Sequence, residues 1–124
     1  MLDDIASYLQ QWGISGVHKG FMPDKPDNLV ALFEYAGEPM EMTMGSEDAV
    51  LERPGLQVRV RDKSYSAGRA RIQAVVDALH GLANEVLGDR RYLLIRANQS
   101  PESLGLDANN RSEFVCNFSV LKER

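Results

Sequence analysis

Apolar positions along the chain keep two rhythms. Ile5, Tyr8, Leu9 and Trp12 fall three and four residues apart, the spacing that lines one side of a helix. Asp3 and Asp4 open that stretch, where carboxylates meet the positive end of the helix dipole. Gly13 ends it, so the pattern predicts a short amphipathic helix from about Asp3 to Trp12. "HKGFMPDKPDN" has neither rhythm, and its prolines, aspartates and asparagine make it a loop. "NLVALFEYAG" predicts a strand, with Leu29, Ala31, Phe33 and Tyr35 on one face and Val30 and Leu32 on the other. A strand that is apolar on both faces needs cover on both sides or a central place in a sheet.

"LQVRVR" alternates strictly, with Leu56, Val58 and Val60 inward and Gln57, Arg59 and Arg61 toward water. Helical spacing then returns. Ile72, Val75, Val76, Leu79, Leu82, Ala83 and Val86 trace one stripe, which predicts a second helix that ends before Gly88 and is capped by Ser64 or Ser66. Gly68 and Gly81, if interior, weaken it by roughly 1 kcal/mol each relative to alanine. Two strands follow: "RYLLIRA", with Leu93, Ile95 and Ala97 on one face, and "EFVCNFSVL", with Phe114, Cys116, Phe118 and Val120 inward. The polar stretch "NQSPESLGLDANNR" separates them as a turn region.

The stretch "GEPMEMTMGSEDAVLERPG" fits neither rhythm well. Met40, Met42 and Met44 alternate with Glu41 and Thr43, and proline and glycine interrupt the pattern on both sides. From Glu38 to Glu52 it carries five acids (Glu38, Glu41, Glu47, Asp48, Glu52) and no base. Residues 38–54 therefore form a long inter-strand excursion in this reading. The predicted fold class is α+β: two helices packed on one face of a mostly antiparallel sheet, in the order α-β-(long excursion)-β-α-β-β.

The chain has 124 residues, 44% hydrophobic and 26% charged, which suits a single domain spanning 1–124. No apolar run is long enough to span a bilayer, and the acidic N-terminus is unlike a secretory signal. A formal net charge of -4 disfavours a general nucleic-acid coat, although a basic patch on one face stays open. Cys116, the single cysteine, lies in an apolar alternating run and reads as a small core residue in a reducing compartment. His18 and His80 are far apart in sequence and have no ligand-spaced partner, and His80 reads as a solvated helix residue. No glycine-rich turn has the form of a phosphate loop. Asp3–Asp4 and Glu47–Asp48 serve better as dipole partners and solvated loop residues than as acid–base pairs. The residues therefore predict no catalytic, metal or cofactor site.

Two features remain as interface candidates. Met40, Met42 and Met44, with Glu41, either fill gaps at the core's rim or pack against another subunit, because methionine adapts to imperfect surfaces. Arg59, Arg61, Arg69 and Arg71 either form a solvated face or meet acids of a neighbouring copy.

The runs "KPDNLVALFEYAGEP", "ERPGLQVRVR", "ARIQAVVDALHGL", "RYLLIRANQSP" and "RSEFVCNFSVLKE" are together similar to the minor capsid proteins of long-tailed phages that act as tail-completion or tail-terminator proteins. The similarity is collinear from about Asp24 to Glu123 and contains no catalytic motif. It implies a structural, non-enzymatic, cofactor-free protein of the virion neck, made in the cytoplasm of the infected bacterium. Such proteins form a ring, commonly a hexamer, that caps the tail tube and faces the head-side connector or stopper protein. The partners implied are other copies of itself, the tail-tube protein, that connector, and genomic DNA in transit without sequence-specific binding; no membrane is implied. The expectation is that the four arginines lie toward one flank and meet the acidic methionine stretch of the next subunit. Glu47 and Asp48 are the alternative lumen residues, where acids would repel passing phosphates. Three other readings stay open: a different neck component, such as a head-closure or stopper protein, a small nucleic-acid-binding α+β module, and a small enzyme or ligand-binding domain, which would require a concave pocket of convergent polar groups.

Overall fold

The computed structural model describes residues 1–42 and 49–124, with backbone only for Met40–Met42 and for 49–50. The described elements run α1 (Leu2–Gln11), β1 (Val17–Lys19), β2 (Leu29–Met42), β3 (Ala49–Asp62), α2 (Tyr65–Leu79), β4 (Ala83–Leu87), β5 (Arg90–Ala97), β6 (Glu102–Leu106) and β7 (Ser112–Glu123). The strands join in one curled half-barrel sheet of order β1-β2-β3-β7-β5-β4. β6 and β5 share one edge of β7, β6 along its first half and β5 along its second. Only the short β1–β2 pair is parallel among the described strands.

The α+β class and the two helices agree with the pattern of apolar positions, but the exact predicted element order is not confirmed. Three further short strands, β1, β4 and β6, lie in stretches expected to be loop, helix and turn. The expected excursion over 38–54 is, where described, a continuation of paired strands: Glu38 faces Arg53, Glu41 faces Leu51 and Met42 faces Ala49. Pro39 and Pro54 do not end these strands. Proline cannot donate to a ladder, and register shifts between Tyr35 and Glu38 and on to Met42 accommodate the lost bonds.

The second helix also ends earlier than its stripe suggests. α2 stops at Leu79 and His80 is extended, so Leu82, Ala83 and Val86 are not helical. The competing partner is β5. Gly81 N–H donates to the Ile95 carbonyl at 2.8 Å and Ile95 N–H to that of Leu82 at 2.9 Å, while His80 Nδ1 accepts from the Ala97 N–H at 2.9 Å. The sheet edge therefore satisfies backbone groups that a longer helix would satisfy internally. Gly81, at φ +84, makes the turn between them.

The core lies between the helices and one face of the sheet. Ile5 and Leu9 of α1 and Ile72, Val75 and Leu79 of α2 meet Val30, Leu32, Leu56, Val58, Val60, Ile95, Phe114, Cys116, Phe118 and Val120. Every second residue of β3 and β7 takes part, as a two-residue period requires. Truncating Phe114 or Phe118, both fully buried, would cost about 3–5 kcal/mol. A register shift in β5 puts Tyr92, not Leu93, into this core, where its hydroxyl donates to Asp4 Oδ2 at 2.8 Å. Gly68 lets α2 sit close to β7, because a Cβ there would stand 2.7 Å from Phe114 Cε2.

Candidate functional site

The sheet face away from the helices has a closed end and an open end. At the closed end Leu29, Ala31 and Val115 are buried although they alternate with the core residues. The loop between β1 and β2 covers this end, and two arginines hold it. Arg61, 3% exposed, donates from Nη2 to the carbonyls of Pro23 (2.6 Å), Pro26 (2.7 Å) and Asp24 (3.1 Å) and from Nε to that of Asp27 (3.0 Å). Arg111 pairs with Asp107 at 2.7 Å, Asp24 at 3.0 Å and Asp27 at 3.2 Å. The Lys63 ammonium, 3.1 Å from Asp27, draws that carboxyl down to about 2 against the opposing effect of burial, with Lys25 and Arg111 adding to the shift. Backbone N–H donation from Arg111 leads in lowering Asp107, and the Arg111 guanidinium adds to it.

In the middle of the face, Gln57 Nε2 donates to Asn117 Oδ1 at 3.0 Å and Arg59 Nε donates to Gln57 Oε1 at 3.1 Å. The Arg59 guanidinium lies 5.8 Å from the centre of the Phe33 ring, within cation–π reach.

At the open end the face forms a groove of about 770 Å³. Its floor is built by the register that aligns Tyr35 with Gly55, Gly55 with Ser119, and Ser119 with Arg96. Gly55 is required because the Tyr35 ring crosses it, 2.4 Å from where a Cβ would stand. The Tyr35 hydroxyl donates to the Phe118 carbonyl and accepts from Asn98 Nδ2, both at 3.2 Å. Ser119 donates to Asn98 Oδ1 at 2.8 Å. Leu94 and Leu121 supply apolar wall, and the shifted strand stretches at 36–39 and 53–54 form the rim. Tyr35 and Leu94 remain 40% and 41% exposed. The charged side chains lining the groove are Glu38, Arg53 and Arg96. Arg96 is exposed and makes no hydrogen bond or ion pair among the described residues.

The structure separates the four arginines expected on one flank. Arg61 is internal, so the expectation that it faces water is corrected: its guanidinium organises the 23–27 loop, which no local pattern reveals. Arg59 lies on the groove side of the sheet, whereas Arg69 and Arg71 lie on α2, across the sheet. Arg69 donates to Gln73 Oε1 at 3.1 Å. Met40, Glu41 and Met42 lie on the last described turns of the β2 ladder, and their side chains fall outside the described set. Met44, Glu47 and Asp48 lie outside the described residues. Arg111 and Arg96 were not singled out by sequence. The four-residue spacing of Asp107 and Arg111 is a local signal that could mark such a pair, and nothing local marks Arg96.

Among the described residues no three His, Cys, Asp or Glu side chains group as a metal site. Cys116 is buried, and burial pushes its thiol above the usual range. The molecule thus presents a helix-backed curled sheet with an open groove on the face away from the helices. The sequence model of the bacteriophage tail terminator protein family matches residues 6–124, so the chain belongs to that family. It is accordingly a structural protein of the phage virion. Among solved structures, a chain in the virion of a native gene transfer agent particle has the same fold, with a TM-score of 0.57 and 17% identity. The alignment covers 97% of this chain and 84% of that one. No curated protein matches the chain.

Proposed function

We propose that the protein acts in the neck of the virion as a ring of identical subunits, a hexamer, that caps the tail tube and joins it to the head-side connector or stopper protein. The observation that carries this reading is the family match across residues 6–124. The whole chain serves as one terminator unit, without catalysis or cofactor, and is made in the cytoplasm of the infected bacterium before incorporation.

A closed ring is built head to tail, so each subunit needs two different patches that fit one another. The acidic stretch with Met40, Glu41, Met42 and Met44 supplies one patch, with methionine giving adaptable apolar contact. Basic surface supplies the other, with Arg59, Arg69 and Arg71 as candidates that retain exposure. Charge complementarity sets the register of such a contact. Glu47 and Asp48 are the candidates for a competing role, lining a lumen that repels duplex phosphates during DNA passage.

Native mass spectrometry of the protein with and without purified tail tubes tests the reading. The expected result is a fixed number of copies on each tube end. Tubes that stay bare at saturating protein would overturn it. A filter-binding assay covers the nucleic-acid alternative, which alone requires strongly salt-sensitive affinity of the free subunit for DNA or RNA.

A further inference from the structure

We infer that the groove around Arg96 in one subunit receives residues 40–48, "MEMTMGSED", of the next. The inference rests on the ring reading and adds to it the receiving site. Residues 40–48 carry three acids (Glu41, Glu47, Asp48), three methionines and no base. The groove offers the complementary chemistry: Leu94, Leu121 and Tyr35 as apolar wall, and two guanidinium groups, Arg53 and Arg96, against one carboxylate, Glu38.

Arg96 is singled out by what the neighbouring arginines do. On the same face Arg59 is engaged by Gln57 and Phe33, and Arg61 by the loop carbonyls. Among the described residues Arg96 has no such engagement. An arginine in water needs no partner. One covered by a docking chain needs a carboxylate, because burying an unpaired charge is strongly unfavourable. An apolar segment that brings its own acids meets that need, and methionines fill an irregular groove well.

The donor is placed on a second copy by topology. β2 and β5 are separated by β3 and β7, three ladder steps or roughly 14 Å. Pairing of β2 with β3 as far as Met42 and Ala49 carries the chain along the strands, not across them. In a ring every subunit both gives a segment and receives one.

Charge exchange between two variants tests the pairing, read as binding to tail tubes by native mass spectrometry. Arg96→Glu, and separately the triple variant Glu41→Lys, Glu47→Lys and Asp48→Lys, should each raise the concentration for half-assembly about tenfold or more. The Arg96→Glu melting temperature should stay at the parent value, since no hydrogen bond or ion pair among the described residues is lost. An equal mixture of the two variants should assemble as the parent does, because alternating copies match every groove with a segment of opposite charge. If the parent itself forms no ring on tubes, the ring reading and this inference fall together. If the parent assembles and Arg96→Glu assembles equally well, the groove assignment alone is wrong. Failure of the mixture to recover overturns it too, and is the outcome expected if the segment pairs with Arg96 of its own chain. Loss of DNA retention with assembly intact would assign the groove to nucleic acid instead.

Discussion

Arg111 occupies the point where Asp24, Asp27 and Asp107 converge, with its side chain almost wholly enclosed. Replacing it with alanine leaves Asp24 and Asp107 without their cation and Asp27 with only Lys25 and Lys63. Arg111→Ala should therefore lower the melting temperature clearly more than Arg91→Ala at an exposed site, in calorimetry or circular dichroism. Arg111→Lys should recover little, because an ammonium cannot reproduce the fork that reaches three partners. The same cluster sets a response to acid. Asp27 titrates at about 2 in the folded protein against the ordinary 3.8. The unfolded chain thus takes up the proton first as pH falls. The cluster's contribution is complete above about pH 4 and disappears as pH drops through 2. Urea denaturation at stepped pH should show this slope in the parent, reduced in Asp27→Asn. Tyr92 responds in the alkaline range. Burial, and then the nearby Asp4 carboxylate, push its hydroxyl well above the ordinary 10. Unfolding releases that proton above pH 10, so stability falls there as pH rises. Tyr92→Phe should remove that dependence and cost about 1 kcal/mol at neutral pH for the lost hydrogen bond, measured by urea denaturation.

Among the elements, α2 shows how tertiary contacts select between local preferences. Its apolar stripe continues in sequence to Val86, and a helical period alone would carry the helix that far. The sheet instead takes Gly81 and Leu82 into hydrogen bonds with β5, and β4 follows as an edge strand. Gly68 carries the same lesson in reverse. In an isolated helix alanine would be better by roughly 1 kcal/mol. Here an added methyl would meet Phe114 and Asp62, and overpacking a tight contact costs about 1–3 kcal/mol. Gly68→Ala should therefore leave the protein less stable by up to about 2 kcal/mol in urea denaturation. A gain in stability would mean that Phe114 yields easily. The prolines of the β2–β3 ladder are likewise understood only in place. They shift the register rather than end the strands, and the shifted stretch becomes the rim of the groove.

For the whole molecule, the important asymmetry is between the two faces of the sheet. One is sealed by helices; the other is closed at the loop end and open at the groove. In the proposed ring each subunit must keep its contact surfaces separate from the groups that hold its own fold. Met40, Met42 and Met44, assigned by the proposed ring to the contact between copies and not to the subunit's own core, should on joint change to serine leave the melting temperature within about a degree of the parent. The same change should weaken assembly on tail tubes, as followed by sedimentation. A drop in melting temperature without loss of assembly would return the methionines to the subunit's own core.

The alternation of Leu56, Val58 and Val60 and of Phe114, Cys116, Phe118 and Val120 determined by itself that these strands share one buried face. The spacing of Ile5 and Leu9, and of Ile72, Val75 and Leu79, determined the two helices that cover it. Such patterns are legible because burial acts on each residue through its own solvation and repeats with the period of the element. What only the tertiary structure decided depends on groups distant in the chain: the end of α2, the entry of Tyr92 in place of Leu93, and the divergent fates of Arg59, Arg61, Arg96 and Arg111. An arginine's surroundings are set by which carbonyls and carboxylates the folded chain brings to it, and no local period encodes those.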